Sequence, residues 1–305
     1  MKLIIKVPAT SANLGPGFDA LGLALDLWNI TTITPANHFS VQVIGEGEGR
    51  VASGKNNLIV RAAQRLAERA GKSMPRFHAE CVNQIPLSSG MGSSSAAIVT
   101  GLLAGNALLE NPFSREEILN LASEMEGHPD NVAPAMLGGL VVSAMDGGKV
   151  IARRIFVGAT HASPLQITIA LPDFYLPTKQ ARAALPKKVS MKNAIHNISR
   201  TVLVVEAFRN GDLDLLGKAM TDKLHQPYRL KLIPGAASAM EAAKKAGASA
   251  AALSGAGPSV IAFSTGKPEI GEAMKRAFEA AGREARIFRP GVSSQGAEIQ
   301  ITKNL

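Results

Sequence analysis

The sequence predicts an α+β protein, on three observations. Strand-like and helix-like segments come in segregated runs, the strand segments are short and β-branched or alternate with period two, and the helix-like segments carry caps or alanine-rich faces. In order, Leu3–Val7, Leu23–Thr34 and Phe39–Ile44 read as strands from their apolar and β-branched content, and Arg76–Val82 alternates apolar with polar. Helices are expected over Asn57–Arg69, Ser94–Leu109 and Ser114–Glu126, the last opened by Ser114-x-x-Glu117, a capping box. Then come a short buried strand at Gln166–Leu171 and helical stretches at Thr178–Ala184, Met191–Arg209 and Leu213–Thr221. Helix Ala236–Ala246, strands Ala250–Leu253 and Val260–Ser264, helix Glu269–Ala281 and strand Glu284–Phe288 complete the series.

A chain of 305 residues with 46% hydrophobic content has room for two cores. The expected division is 1–160 and 161–305, where the charge changes sign. Residues 1–150 carry 11 basic against 13 acidic side chains, and residues 151–305 carry 22 against 11. A basic half could serve RNA, an acidic membrane surface or an anionic small substrate. With one Trp, two Tyr and no basic tract longer than two, neither a nucleic acid nor a membrane is expected as partner. The lone cysteine, Cys81, excludes an internal disulfide and a thiolate metal cluster, which fits a reducing cytoplasm. Met1–Lys6 holds too short an apolar stretch for a secretory signal, and the apolar run 96–109 is too short to span a bilayer.

The chemistry concentrates in Pro86-Leu87-Ser88-Ser89-Gly90-Met91-Gly92-Ser93-Ser94-Ser95-Ala96. Glycines that let backbone approach an anion, followed by three hydroxyls offering a helix N-cap, have the build of a phosphate cradle. The first-turn amides and the positive end of the helix dipole would face the anion. Two other phosphate motifs fail. Gly49 to Asn56 has Walker A spacing, but Asn56 stands where a magnesium-binding Ser or Thr is required. The glycines near residue 90 lack the third glycine of a dinucleotide fingerprint.

Two further glycine-rich segments, Pro8-Ala-Thr-Ser-Ala-Asn-Leu-Gly-Pro-Gly-Phe-Asp19 and Leu253-Ser-Gly-Ala-Gly-Pro-Ser259, flank this cradle at long range. In this order and spacing the three resemble the motifs of the GHMP small-molecule kinases, named for galactokinase, homoserine kinase, mevalonate kinase and phosphomevalonate kinase. Within that superfamily the wording Ser11–Asp19, Glu126-Gly-His-Pro-Asp-Asn-Val-Ala-Pro134, Thr178-Lys-Gln-Ala-Arg182 with Leu185-Pro186, and Arg229-Leu-Lys-Leu-Ile-Pro-Gly235 is most similar to the homoserine kinases. The resemblance covers nearly the whole chain. It implies an N-terminal domain like ribosomal protein S5 domain 2, a ferredoxin-like C-terminal domain, and ATP-dependent phosphorylation of L-homoserine in threonine biosynthesis. A homodimer is a family-level expectation.

The resemblance also implies a site. The ATP triphosphate lies on residues 86–96 and the adenine near Asn57 and Leu58. Mg2+ is held by Ser94 and a carboxylate, Glu126 or alternatively Glu124. Arg182 and Arg229 take the substrate carboxylate through planar forks. Asn13, Asp19 and Asp130, with His128 and Asn131 alongside, serve its ammonium and hydroxyl. Asn131 stands where mevalonate and galactose kinases carry a basic aspartate, so transfer by positioning, without an obligatory protein base, is expected. The competing readings are a GHMP kinase for a sugar or isoprenoid alcohol, a non-catalytic ligand sensor, and an RNA-binding relative.

Overall fold

The computed structural model describes residues 2–158 and 165–302, so the boundary expected between 160 and 161 lies outside them. Two sheets organise the chain. In the first, β1 (Lys2–Ala12) and β2 (Leu21–Pro35) pair antiparallel, and β3 (Ser40–Gly45), α1 (Leu58–Arg69) and β4 (Phe77–Asn83) form a βαβ unit with parallel strands. After helices α2 (Ser93–Leu108), α3 (Arg115–Glu126) and α4 (Pro129–Leu137) comes a hairpin, β5 (Leu140–Asp146) and β6 (Lys149–Ile155). Strand β5 pairs with the start of β2, while β4 pairs with its far end, so β2 splits its partners along its length.

The second half runs β7 (Gln166–Pro172), then five helices α5 (Thr178–Ala183), α6 (Met191–Asn210), α7 (Leu213–Ala219), α8 (Gln226–Arg229) and α9 (Ala236–Lys245). It continues through β8 (Ala250–Leu253), β9 (Val260–Ser264), α10 (Glu269–Glu279) and β10 (Ala285–Phe288). The sheet order β10-β7-β9-β8, antiparallel throughout, is the split βαβ arrangement of a ferredoxin-like domain, with α5–α9 filling its first crossover. The last strand, β11 (Glu298–Thr302), returns to the first sheet and pairs with β1. The α+β expectation therefore holds, with two sheets.

Period-two alternation explains the cores. Leu3, Ile5, Val7 and Ala9 of β1 point inward together. In the second sheet Ile261 and Phe263 face Val204 and Phe208 of α6, whereas Val260 and Ala262 face Ala239 and Ala243 of α9 and Met274 and Phe278 of α10. Helix α2 is apolar on nearly every side, so it can only be interior. It lies close to α1 because a Cβ on Gly101 would stand 2.2 Å from the Ile59 carbonyl. A central helix of this kind is buried along most of its length and brings its N-terminus, with Ser94 exposed, to the surface of the first domain.

Five of these elements were not expected from the sequence. The β5–β6 hairpin turns at Gly147 and Gly148, both at positive φ as a tight two-residue turn demands. Helix α4 was hidden by its prolines: Pro129 sits at the first helical position, which proline favours, but Pro134 lies inside. Strand β11 and the four-residue α8 also went unread. Among the described residues no helix is long and apolar enough to cross a membrane.

Phe263 is fully buried and meets Phe208 edge to face at 5.3 Å, joining α6 to the second sheet. Phe263→Ala is expected to lower stability by about 3–5 kcal/mol, read as a fall in the urea midpoint at unchanged slope.

Candidate functional site

The three glycine-rich segments meet around one cleft of about 520 Å3 between the two sheets. The middle segment ends in α2, and its geometry differs from the expectation. The N-cap is Gly92, at φ 74°, rather than a serine, and no side chain caps the helix. Ser93, Ser94 and Ser95 occupy the first turn. The first intrahelical bond from this end runs from the Ala96 amide to the Gly92 carbonyl, so the amides before it are free for an anion.

The glycines answer to protein atoms as well. A Cβ on Gly92 would stand 2.0 Å from the Thr10 hydroxyl, and one on Gly90 would stand 2.2 Å from the Ser254 carbonyl. Their bareness also lets the three segments interlock, a second requirement beside the approach of an anion. The Ser254 hydroxyl donates to the Gly90 carbonyl at 2.7 Å, and the Gly255 amide donates to the Ala12 carbonyl at 3.1 Å.

Most expected site residues line this cleft: Asn13, Asp19, Asn57, Leu58, Leu87, Ser88, Ser89, Gly90, Gly92, Ser93, Ser94, Glu126, His128, Asp130, Asn131, Arg182 and Arg229. Met91, Ser95 and Ala96 are buried beneath it, and Pro86 borders a smaller neighbouring cleft. The Asn57 side chain is committed to structure, capping α1 through the Ile59 amide at 2.9 Å and donating to the Ala52 carbonyl at 2.7 Å. The Ser94 hydroxyl donates to Glu126 Oε1 at 2.7 Å. Glu124 points elsewhere and pairs with Arg65, so of the two carboxylates Glu126 meets the serine. Asn131 Oδ1 accepts from the Thr10 hydroxyl at 2.8 Å. Of the six non-glycine residues at positive φ among the described residues, Asn13, Asp19 and Ser88 line this cleft.

The charged end is built around Phe18. The guanidinium of Arg229 lies 5.2 Å and that of Arg182 5.5 Å from its ring centroid. Arg182 forms a bidentate pair with Asp19, both contacts at 2.9 Å, and this pairing raises its pKa. Arg229 has no such partner. It is 1% exposed, its Nε is unpartnered, and among the described residues no carboxylate lies within ion-pair distance. Burial, then repulsion from Arg182, brings its pKa down to about 10, so it stays a cation at neutral pH. A buried cation with an unused donor is a site for an anion.

His225 aims it, and the sequence reading missed this residue. Its Nε2 donates to the Gly15 carbonyl at 2.7 Å, leaving Nδ1 to accept from the Arg229 guanidinium at 3.2 Å. Burial lowers its pKa and keeps the ring neutral, as that pattern requires. Asp222 in turn accepts from the amides of Leu224, His225 and Gln226 and from Asn197. The spacing Asp222-x-x-His225-x-x-x-Arg229 was the available signal: a cap followed by an i, i+4 pair.

Next to this charged end His128 Nδ1 lies 2.5 Å from Asp130 Oδ1, and Asp19, His128 and Asp130 bring one ligand atom each within 4.8 Å of one another. These atoms already serve one another or Arg182. Burial alone would lower the His128 pKa, but the Asp130 bond and charge outweigh it and raise it. A raised imidazole contributes stability that is full below its ordinary value of 6.5 and is lost as pH climbs through the higher folded value. The stability gap between wild type and His128→Gln should therefore be larger at pH 6 than at pH 9 in urea unfolding; a gap independent of pH would show that the pair does not titrate there.

Comparison with known proteins was made on this footing. The family model described as GHMP kinases N terminal domain matches residues 57–139, and that described as GHMP kinases C terminal matches residues 204–283. A homoserine kinase of Moorella thermoacetica is 45% identical over 298 residues, covering 97% of this chain and 99% of the relative. One of Carboxydothermus hydrogenoformans is 42% identical over 96% of this chain and 95% of its own. The crystal structure of homoserine kinase from Cytophaga hutchinsonii superposes with a TM-score of 0.84 at 31% identity, covering 98% of this chain and 97% of that one. A mevalonate kinase of L. major shares the fold, at a TM-score of 0.67 and 17% identity.

Proposed function

The chain belongs to the GHMP kinases, on the homoserine kinase branch, and from that premise we propose that it transfers the γ-phosphoryl group of ATP to the side-chain hydroxyl of L-homoserine. The observation that carries the substrate is Arg229, a buried guanidinium lacking an anion, beside the exchangeable Arg182–Asp19 pair. A zwitterion suits that pair: its carboxylate replaces Asp19 on the guanidinium while its ammonium replaces Arg182 on the carboxylate, and net charge in the cleft does not change. A sugar offers neither charge, and mevalonate offers only one.

In this reading the free amides of α2 and the loop 86–92 cradle the triphosphate, and the adenine enters the end of the cleft near Asn57 and Leu58. Ser94 and Glu126 would hold Mg2+, since a hydroxyl and a carboxylate side by side are the hard oxygen donors it takes. When bound, the metal neutralises charge on the β- and γ-phosphates. Arg229 and the Arg182–Asp19 pair fix the amino-acid end of the substrate, and Asn13, tied to the Gly255 carbonyl at 2.8 Å, steadies the loop that carries Asp19. Asp130, Asn131 and His128 line the hydroxyl end. An amide at 131 cannot accept a proton and Asp130 is already bound to His128, so the hydroxyl proton passes to the transferred phosphoryl oxygens and catalysis rests on positioning. Residues 1–160 and 161–305 act as the two domains, in a cytoplasmic homodimer.

The test is ADP release with L-homoserine, L-serine, L-threonine and mevalonate as acceptors. Homoserine should exceed each of the others in kcat/KM by about tenfold or more, the discrimination that one methylene or one missing charge supplies. Comparable turnover of mevalonate would overturn the assignment.

Arg229→Lys keeps the charge and loses the fork. The KM for homoserine is expected to rise about 10- to 100-fold, as for one charged hydrogen bond, with KM for ATP nearly unchanged. A rise confined to ATP would put this residue at the phosphates.

A further inference from the structure

Helix α6 has two faces with unlike duties. The inner face buries Asn197, Val204, Ala207 and Phe208, and holds the first glycine-rich segment: Asn197 Nδ2 donates to the Pro16 carbonyl at 2.9 Å and the Thr201 hydroxyl donates to it at 3.0 Å. The outer face is apolar where solvent should favour charge. Met191, Ile195, Ile198 and Val202 are between 58% and 75% exposed and follow one another at intervals of four, three and four residues. That interval is the seam of a two-helix coiled coil. Phe156, 80% exposed, lies two residues before Gly158, whose amide donates to the Phe208 carbonyl near the C-terminal end of α6; Val189, 45% exposed, lies just before its N-terminal end.

We propose that this face is the interface of a homodimer, in which the two α6 helices pack antiparallel across a twofold axis. The proposal rests on the homodimer included in the reading above and names its surface. Charge selects both the partner and the direction. Centring the axis between Ile198 and Ser199 sets Ile195 against the partner's Val202 and brings Lys192 beside the partner's Glu206, and symmetry repeats each pairing. A parallel pair would instead hold Lys192 and the partner's Glu206 about 21 Å apart along the axis. Ser199, small and on the axis, permits the close approach that packed helices need. A 20-residue helix is about 30 Å long, and its seam alone falls short of the roughly 800 Å2 per partner of a standard interface. The antiparallel arrangement supplies more, because it carries the C-terminal end of α6, with Phe156 near it, toward the partner's Val189 and the partner's Met191, and the twofold axis repeats this at the other end.

Sedimentation equilibrium of the full chain across micromolar concentrations tests it. Wild type should be dimeric. Ile198→Glu, a surface change, should weaken association by about 100-fold, as expected when an apolar side chain at the centre of an interface is replaced on both copies. Lys192→Glu and Glu206→Lys should each weaken it by about tenfold, since each pair occurs twice, and the double reversal should restore it. Thermal melts check that each variant is folded. A dimer indifferent to Ile198→Glu would overturn this interface and leave the homodimer standing. A wild type that is monomeric at every concentration would overturn both, and a monomer that co-sediments with anionic phospholipid vesicles would give the face to a lipid surface. The ADP-release assay reports on the kinase assignment independently of all three results.

Discussion

The junction where three distant chain segments share backbone hydrogen bonds is the constraint on which the rest depends. Gly90, Ala12 and the turn 254–257 touch through main-chain atoms, with Ser254 bridging to both Ser11 and Gly90. Any side chain at residue 90 or 92 would enter the space of another segment. The junction couples the two sheets directly, because Ala12 ends β1 of the first and Leu253 ends β8 of the second. The start of α2 cannot move without moving the turn after β8. The start of α2 and the segment ending β1 are thus held at a fixed distance, which is what the proposed reaction, run by positioning, requires.

Electrostatics impose the second constraint. Burying Arg229 without a carboxylate costs stability, and the structure limits that cost by indirect means: the face of Phe18, the neutral imidazole of His225 and the Gly255 carbonyl, all against one guanidinium. None of these removes the need for an anion. Asp222, which could have neutralised it, is turned toward the amides of Leu224 to Gln226 instead. The arrangement keeps a binding group charged, oriented and unpaired, and the folded state bears the difference.

Much of this was legible in the sequence. The three segments, the two arginines, Ser94 and Glu126 stand out because their residue types are chemically specific, and the cleft collects them. What could not be read was pairing. Nothing local to Asp19 or Arg182, 163 positions apart, shows that they bind one another, and nothing near Gly90 shows that Ser254 will lie against it. The structural duty of Asn57, one acceptor bond to α1 and one donor bond to the Ala52 carbonyl, could not be read from its residue type either. Helix α4 went unread for a different reason. Pro134 removes an amide, and the Asp130 carbonyl left over lies where a Cβ on Gly22 would come within 1.8 Å, so the break in the helix pattern is how the site end of α4 comes to lie against β2.

The Arg182–Asp19 pair closes the logic of the site. Each partner is partly exposed, at 41% and 33%, so in solvent the bond is weak and open to exchange. Arg229, by contrast, is sealed. A substrate carrying only a carboxylate could satisfy Arg229 but would leave Asp19 to Arg182 and the loop where it was. A substrate carrying both charges is the one that can open the pair without leaving a charge alone, and opening it moves Asp19 on the same loop whose base Asn197 and Thr201 hold at Pro16. In the proposed reading, recognition of a zwitterion therefore reaches from the cleft to α6, and the rigidity of that helix becomes part of how the amino acid would be bound.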